Sequence, residues 1–290
     1  MLPSAPSFRG RTAFVTGGGT GLGLEVSRRL GALGANVVVA SRDRAHHAEI
    51  LRLGAAGGFD VLSVGMDVRR ADEVRTAFRA AVDRFGGVDL LVNNAAGNFV
   101  RPSLLLAPKA FANVIDIALN GVFTCSREAG RVMSAGRGGA IVNVSAPYAA
   151  TGKPGVVHSA CAKAGVEALT RTLAAEWASL GIRVNAVSPG PFESEGASDR
   201  LWPSAEIEET VRRQIPLGRF GTAGEVADLI VWLGSDASSW VTGAVWVMDG
   251  GWSLPAGLVP GLDRVRRRRR GSGGGGGGVT ADDGDAAGPT

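Results

Sequence analysis

The chain has 290 residues, 45% of them hydrophobic and 20% charged, with two cysteines, three histidines and a formal net charge of +4. Such a composition can bury a globular core, and it excludes a disulfide-stapled secreted module and a chain too polar to fold. No apolar run approaches the roughly 18 residues a membrane helix needs, and Met1 to Arg9 lacks the basic-then-apolar order of a secretory signal. A cytoplasmic protein without a membrane span is expected.

The positive charge is local. Arg264 and the run Arg266 to Arg270 hold six of the 31 basic residues, while residues 263–290 hold four of the 27 acidic ones, which leaves the rest of the chain at +2. A nearly neutral body offers no electrostatic footprint for nucleic acid. The Arg run is followed by glycines from Gly271 to Gly278, broken only by Ser272, and by an acidic, Ala/Gly-rich end. That composition buries no core, so residues 1–262 are expected to form one domain and 263–290 a disordered tail.

From Thr12 to Met248 short β-branched apolar runs alternate with longer amphipathic stretches, the rhythm of parallel strands covered by helices. Strands are expected at Thr12–Thr16, Ala35–Ala40, Val61–Val64, Leu90–Asn93, Ile141–Val144, Arg183–Val187 and Val245–Met248. Seven of them suit a doubly wound α/β sheet, a Rossmann-type three-layer sandwich. Phe192 to Ile215 reads as a long interval without a strand, in which Ser204 before Glu206, Glu208 and Glu209 caps a helix. Cys125 and Cys161 have no metal-ligand spacing with His46, His47 or His158, so no metal is expected.

Directly after the first strand the sequence reads Thr16-Gly17-Gly18-Gly19-Thr20-Gly21-Leu22-Gly23, with an amphipathic helix following. A strand, glycine turn and helix in this order form a cradle for a dinucleotide: Gly17 permits the sharp turn, Gly21 lets backbone approach the pyrophosphate, and Gly23 lets helix and strand pack closely. At the tip of the second strand stand Ser41 and Arg42, a hydroxyl and a guanidinium that suit a ribose 2′-phosphate, hence NADP(H). Asp43, two residues on, keeps NAD open. Asp67 and Val68, after the third strand, are placed to meet the adenine.

Three more motifs follow in order: Asn93-Asn94-Ala95-Ala96-Gly97 after the fourth strand, Lys163 on an expected helix, and Ser188-Pro189-Gly190-Pro191 after the sixth strand. With the glycine turn they resemble the short-chain dehydrogenase/reductase family over residues 10–252. Pro216-Leu217-Gly218-Arg219, Val241-Thr242-Gly243 and Asp249-Gly250-Gly251 look like its closing segment. The resemblance implies that Thr16, Gly17, Gly19, Thr20, Gly21, Leu22, Gly23, Asn94, Ala95, Ala96, Lys163, Pro189 and Gly190 line the cofactor. It also implies a homotetramer and a substrate lid between residues 192 and 215.

One departure is informative. The family's usual Tyr-x-x-x-Lys, with a Ser thirteen residues before the Tyr, is here Ser159 before Lys163, with Ala146 in the Ser position and Ala118 where an additional Asn is usual. The only tyrosine, Tyr148, sits instead on the loop after the fifth strand. This displacement, with Ala96-Gly97-Asn98-Phe99 and Ser159 to Gly165, is similar to the 2,4-dienoyl-CoA reductase branch. That branch implies that Tyr148 and Asn98 bind a thioester carbonyl and that Lys163 holds the nicotinamide ribose, with Ser159 in support or merely capping its helix. His158 and Cys161 are read as lining. Leu201 and Trp202 are candidates for an acyl chain, and Arg101 and Arg200 for the CoA tail.

The expected activity is NADPH-dependent reduction of an unsaturated acyl-CoA in fatty-acid β-oxidation, 2,4-dienoyl-CoA to 3-enoyl-CoA. Two readings stay open beside it. One is another reductase of the family, acting on an enoyl thioester or a carbonyl compound of the 3-oxoacyl type. The other is a non-catalytic NADP-binding sensor.

Overall fold

Continuous apolar runs in the central strands set the layers. Ala13 and Val15 of the first strand pack into one core cluster and Phe14 into another; Leu90 and Val92 part from Leu91 in the same way, and Ala140 and Val142 from Ile141. Successive side chains of a strand point to opposite faces, so a sheet built from such runs must be covered on both sides. The computed structural model describes residues 7–193 and 204–254.

In chain order the elements are β1 (Thr12–Thr16), α1 (Gly21–Ala32), β2 (Asn36–Ser41), α2 (Ala48–Gly57), β3 (Val61–Gly65), α3 (Ala71–Phe85), β4 (Leu90–Asn93), α4 (Pro108–Ile115), α5 (Gly121–Ser134), β5 (Gly139–Val144), α6 (Tyr148–Thr151), α7 (Val157–Trp177), β6 (Ile182–Pro189), β7 (Phe192–Glu193), α8 (Ala205–Gln214), β8 (Gly221–Thr222), α9 (Ala223–Gly234) and β9 (Val245–Met248). Seven strands form one parallel sheet in the order β3-β2-β1-β4-β5-β6-β9. The order reverses beside β1, the crevice where doubly wound sheets bind ligands. Helices α1, α2 and α9 cover one face, with Val26, Leu30, Ile50 and Ile230 buried there; α3, α5 and α7 cover the other through Phe78, Ala129, Met133 and Ala174. Phe14 and Phe78 stack at 4.3 Å.

All seven expected strands are present, with β5 and β6 starting earlier and β6 running on through Pro189. One expectation is corrected. The interval from Phe192 to Ile215 is not free of strand, since β7 pairs in parallel with β8, Phe192 opposite Gly221 and Glu193 opposite Thr222. Two residues are too few to show an alternating pattern, so the pairing leaves no mark in the sequence. The capped helix is found: Ser204 Oγ accepts from the Ile207 N–H at 3.3 Å, ahead of Glu206 and Glu208 in the first turn of α8. Helix α9 starts with a reciprocal capping box between Thr222 and Glu225.

The described residues up to Ser253 form one compact unit. The expected tail at 263–290 and the lid candidates Arg200, Leu201 and Trp202 lie outside the described residues. No helix among the described residues is long and apolar enough to cross a membrane.

Candidate functional site

The site assembles at the C-terminal ends of β1, β2, β4, β5 and β6, beginning with the turn between β1 and α1. Gly17 has φ +64°, a left-handed conformation that a side chain disfavours. At Gly23 a Cβ would stand 2.0 Å from the Gly17 carbonyl oxygen, so the helix rests directly on the turn. Thr20 is the N-cap of α1 but makes no side-chain cap bond, and no acidic residue stands in the first helical turn. A helix N-terminus of this kind favours an anion, and the glycine cradle, filled by any Cβ at Gly23, fits a dinucleotide. Gly21 and Leu22 open the helix itself.

Thr16 is buried and its hydroxyl accepts from the backbone N–H groups of Asn94 and Ala95, each at 3.0 Å. The Asn94 amide donates to the Thr16 and Gly17 carbonyls at 3.0 and 3.2 Å. These bonds lock the loop after β4, including Ala96, against the glycine turn. Pro189 ends β6, and Gly190 continues to β9 through a bond from its N–H to the Met248 carbonyl at 3.0 Å. The hydroxyl of the preceding Ser188 is buried and has no hydrogen-bond partner among the described residues.

At the tip of β2, the Asp43 carboxylate caps a 3-10 turn at Arg44–His47 by accepting from the Ala45 N–H at 2.9 Å. Its carboxylate faces that turn, which leaves the exposed Arg42 and the half-buried Ser41, whose hydroxyl is bonded to the Asp43 carbonyl and to His47, as the groups nearest a ribose substituent. Asp67 accepts from the Arg69 guanidinium at 2.6–3.0 Å, and that bond holds its carboxyl below the usual range. Val68 packs its side chain against Gly121 at the start of α5.

The substrate end is compact. Tyr148, at the start of α6, accepts from Asn98 Nδ2 at 3.3 Å and lies 3.0 Å from the Ser159 hydroxyl. Asn98 is itself oriented by its Oδ1, which accepts from the Phe99 N–H at 2.9 Å. Burial raises the Tyr148 pKa above its ordinary 10, partly offset by Ser159, so the phenol stays protonated. With Asn98 and Ser159 both able to donate to its oxygen, the Tyr148 proton is left for a ligand. Val156 occupies the N-cap of α7, so Ser159 is inside the helix and bonds Tyr148 rather than capping.

Lys163 follows Ser159 by one turn on the same buried face, and its ammonium donates to the Val144 carbonyl at 2.7 Å. Burial pushes it down to about 8. Helix α7 is held in place by a buried ladder: Asn93 Nδ2 donates to Ser126 and Asn143 at 3.0 and 2.8 Å, and Asn143 Nδ2 donates to Thr170 at 2.9 Å. Ser145 adds a 3.0 Å bond to the buried Glu167.

One placement differs from what the sequence suggested, and several others gain detail. Cys161 is not lining; it is exposed on the outward side of α7, two positions from both Ser159 and Lys163 and so on another face. His158 is fully buried and packs its ring 4.4 Å from Phe99. Ala118 lies buried on a π turn at Asp116–Asn120, a break in helical bonding that joins α4 to α5 beside Ala162. Arg101 is exposed with its Nε on the Leu105 carbonyl. His47, passed over in the sequence, proves to be a buried bridge at the tip of β2; an isolated histidine carries no spacing signal. A cavity of about 500 Å³ opens at the other end of the sheet, where Arg11, Asp89, Arg137 and Arg183 sit at strand starts, and takes no part in this constellation. Among the described residues no three His, Cys, Asp or Glu side chains converge on a metal position.

The chain is similar to several known proteins. The family model described as Enoyl-(Acyl carrier protein) reductase matches residues 17–253. A Bacillus subtilis (strain 168) protein named as a probable 2,4-dienoyl-CoA reductase, (2E)-enoyl-CoA-producing, is 41% identical over 83% of this chain and 96% of its own. The Danio rerio peroxisomal 2,4-dienoyl-CoA reductase, (3E)-enoyl-CoA-producing, is 39% identical over 83% of this chain and 81% of its own. Among solved structures, a short chain dehydrogenase from Bacillus anthracis matches with TM-score 0.76 and 36% identity over 88% of this chain and 100% of its own. A gluconate 5-dehydrogenase from Burkholderia cenocepacia J2315, in complex with NADP and tartrate, matches with TM-score 0.81 and 31% identity over 86% and 98%. At that identity and coverage the likeness reaches past a shared architecture, and the chain belongs to the short-chain dehydrogenase/reductase family of oxidoreductases.

Proposed function

We propose that the protein reduces a 2,4-dienoyl-CoA to a 3-enoyl-CoA with NADPH, a step of fatty-acid β-oxidation. The observation that carries this reading is the Asn98–Tyr148–Ser159 chain of hydrogen bonds, in which the phenol stands on α6 and Ser159 occupies the helix position where the family usually has tyrosine. Similarity to proteins named 2,4-dienoyl-CoA reductases and to a structure holding NADP supports it.

In this reading the turn Thr16 to Gly23 and the N-terminus of α1 hold the pyrophosphate, Ser41 and Arg42 the 2′-phosphate, Asp67 and Val68 border the adenine, and Asn94 to Ala96, Lys163, Pro189 and Gly190 border the nicotinamide half. NADPH, when bound, supplies the hydride. A simple ketone needs a proton donor beside the carbon that accepts hydride. In a conjugated dienoyl thioester the accepting carbon, C5, is four bonds from the carbonyl carbon, so negative charge appears on a distant oxygen. Tyr148 and Asn98 donate to that oxygen as an oxyanion hole. Ser159 keeps the Tyr148 hydroxyl aimed, and the Lys163 ammonium orients the ribose and adds positive charge to a dry site. Protonation by water at C2, next to the thioester carbon these donors hold, gives the 3-enoyl product.

The partner is thus a small-molecule substrate, an acyl-CoA. A homotetramer is the assembly in this reading, and the apolar surface of the edge strand β9, where Val247 is 57% and Trp246 38% exposed, supports association of copies. The compartment stays with the sequence expectation, the cytoplasm, beside relatives named as peroxisomal.

The test is NADPH absorbance decay with a trans,trans-2,4-dienoyl-CoA, followed by product analysis. Turnover to the 3-enoyl thioester, lost in Tyr148→Phe and Lys163→Ala, is the expected result. NADPH binding without turnover of any dienoyl thioester overturns the reading. A 2-enoyl product moves the final protonation to C4.

A further inference from the structure

His47 is completely buried, yet both ring nitrogens are bonded. Nε2 lies 2.7 Å from Ser41 Oγ and Nδ1 lies 2.7 Å from Ser63 Oγ, so one imidazole ties the tip of β2 to β3. The direction of each bond follows from the neighbours. Ser41 donates its proton to the Asp43 carbonyl at 2.9 Å, and so accepts from Nε2–H. Ser63 accepts from Arg44 Nε at 3.3 Å and gives its own proton to Nδ1. The result is a one-way chain, from Arg44 through Ser63 and His47 to Ser41. Burial and the nearby Arg44 and His46 charges lower the imidazole pKa, with Asp43 opposing, so the ring is neutral and the chain keeps its direction at neutral pH.

The same residue also touches the phosphate turn. A Cβ on Gly19 would stand 2.8 Å from His47 Cδ2 and 2.3 Å from the His46 carbonyl oxygen, so the glycine turn rests directly on the 3-10 turn that ends at His47. Ser41 is left with a hydroxyl held in place by an incoming N–H and with a proton on an exposed carbonyl, from which it can swing to an anion at little cost.

We infer that His47 is a positioning residue that sets the coenzyme preference: it holds the Ser41 hydroxyl as a ready donor to a ribose 2′-phosphate and fixes the Gly19 side of the turn against the same pocket. The inference rests on the NADPH reading above. His47 touches no substrate atom, so its effect falls on discrimination between the phosphorylated and unphosphorylated coenzyme.

The experiment titrates NADPH and NADH separately by nucleotide fluorescence against the full chain and two variants. His47→Phe removes both bonds while keeping a flat ring, and is expected to weaken NADPH binding on the order of tenfold while NADH binding changes less than about twofold. His47→Gln, whose amide can donate to Ser41 and accept from Ser63, keeps most of the parent preference. Should His47→Phe fail to fold, Ser63→Ala releases the far nitrogen and is expected to shrink the NADPH-to-NADH ratio in the same direction. Equal losses for both coenzymes, or an unchanged ratio in His47→Phe or Ser63→Ala, overturn the assignment. A parent protein that binds NADH as tightly as NADPH overturns the coenzyme reading itself, which the variants' ratios alone do not.

Discussion

The hydroxyl groups of Tyr148 and Ser159 lie 3.0 Å apart, eleven residues distant in the chain and on two different helices. The contact joins the tyrosine to the helix that carries Lys163. It makes Ser159 a support for the phenol rather than a weakened copy of a missing acid.

Tyr148→Phe is therefore expected to lower kcat by roughly 100- to 1,000-fold, the usual cost of removing one oxyanion donor, with NADPH affinity unchanged. Ser159→Ala, which leaves Asn98 on the phenol, is expected to lose about tenfold. Steady-state NADPH oxidation by the two variants decides the matter; a Tyr148→Phe rate within about threefold of the parent would remove the phenol from the chemistry.

Lys163 makes the folded protein work against its own stability. Its buried ammonium titrates at about 8 against an ordinary 10.5. Below pH 8 both folded and unfolded chains carry the charge, and the folded one bears a burial cost of about 3 kcal/mol. Between 8 and 10.5 the unfolded chain binds the extra proton, so this group's contribution to stability improves as pH rises. Lys163→Met is expected to melt above the parent at pH 7, with the margin closing by pH 10, while NADPH binding weakens. A margin that stays flat between pH 7 and 10 contradicts the burial argument.

Gly23→Ala puts a methyl group 2.0 Å from the Gly17 carbonyl oxygen and must open the turn. Loss of about 1–3 kcal/mol of stability is expected, with nucleotide affinity reduced on the order of tenfold or more. Gly87→Ala, where a Cβ meets nothing within 4 Å, is the matched control. Differential scanning fluorimetry with and without NADPH reads both.

Asn143→Ala removes one of the two acceptors of the buried Asn93 amide and the donor to Thr170, so about 1–3 kcal/mol should be lost in urea unfolding. Because the ladder seats α7, kcat should fall more than the KM for NADPH rises. Unchanged stability would mean that water takes the place of the missing amide.

Most of the sheet was legible because β-branched runs such as Val37–Val39 are buried on both faces and read as continuous apolar strands. The glycine turn was legible because Gly17 and Gly23 answer to backbone geometry that no other residue meets. Tyr148 and Asn98 were found through a family pattern, since a loop and a short helix fifty residues apart carry no local sign of meeting. The β7–β8 pairing and the outward turn of Cys161 were missed because one is too short for periodicity and the other depends on the rotation of α7. His47 was missed because its partners, Ser41 and Ser63, stand on separate strands and meet only when β2 and β3 align, with Val39 opposite Ser63.

The lysine and the groups proposed to bind the thioester oxygen ride on separate bodies of the fold: Tyr148 on α6, Asn98 on the loop after β4, and Lys163 on the 21-residue α7. Ser159 is the side-chain rung between the first body and the last. In the proposed reading it acts as a spacer gauge, fixing how far an anchored carbonyl would stand from the end of the site that Lys163 would govern. A change in the length of the short segment between Thr151 and Val157 would reset that gauge without moving the lysine, so one loop can retune the span of conjugation that a site of this design accepts.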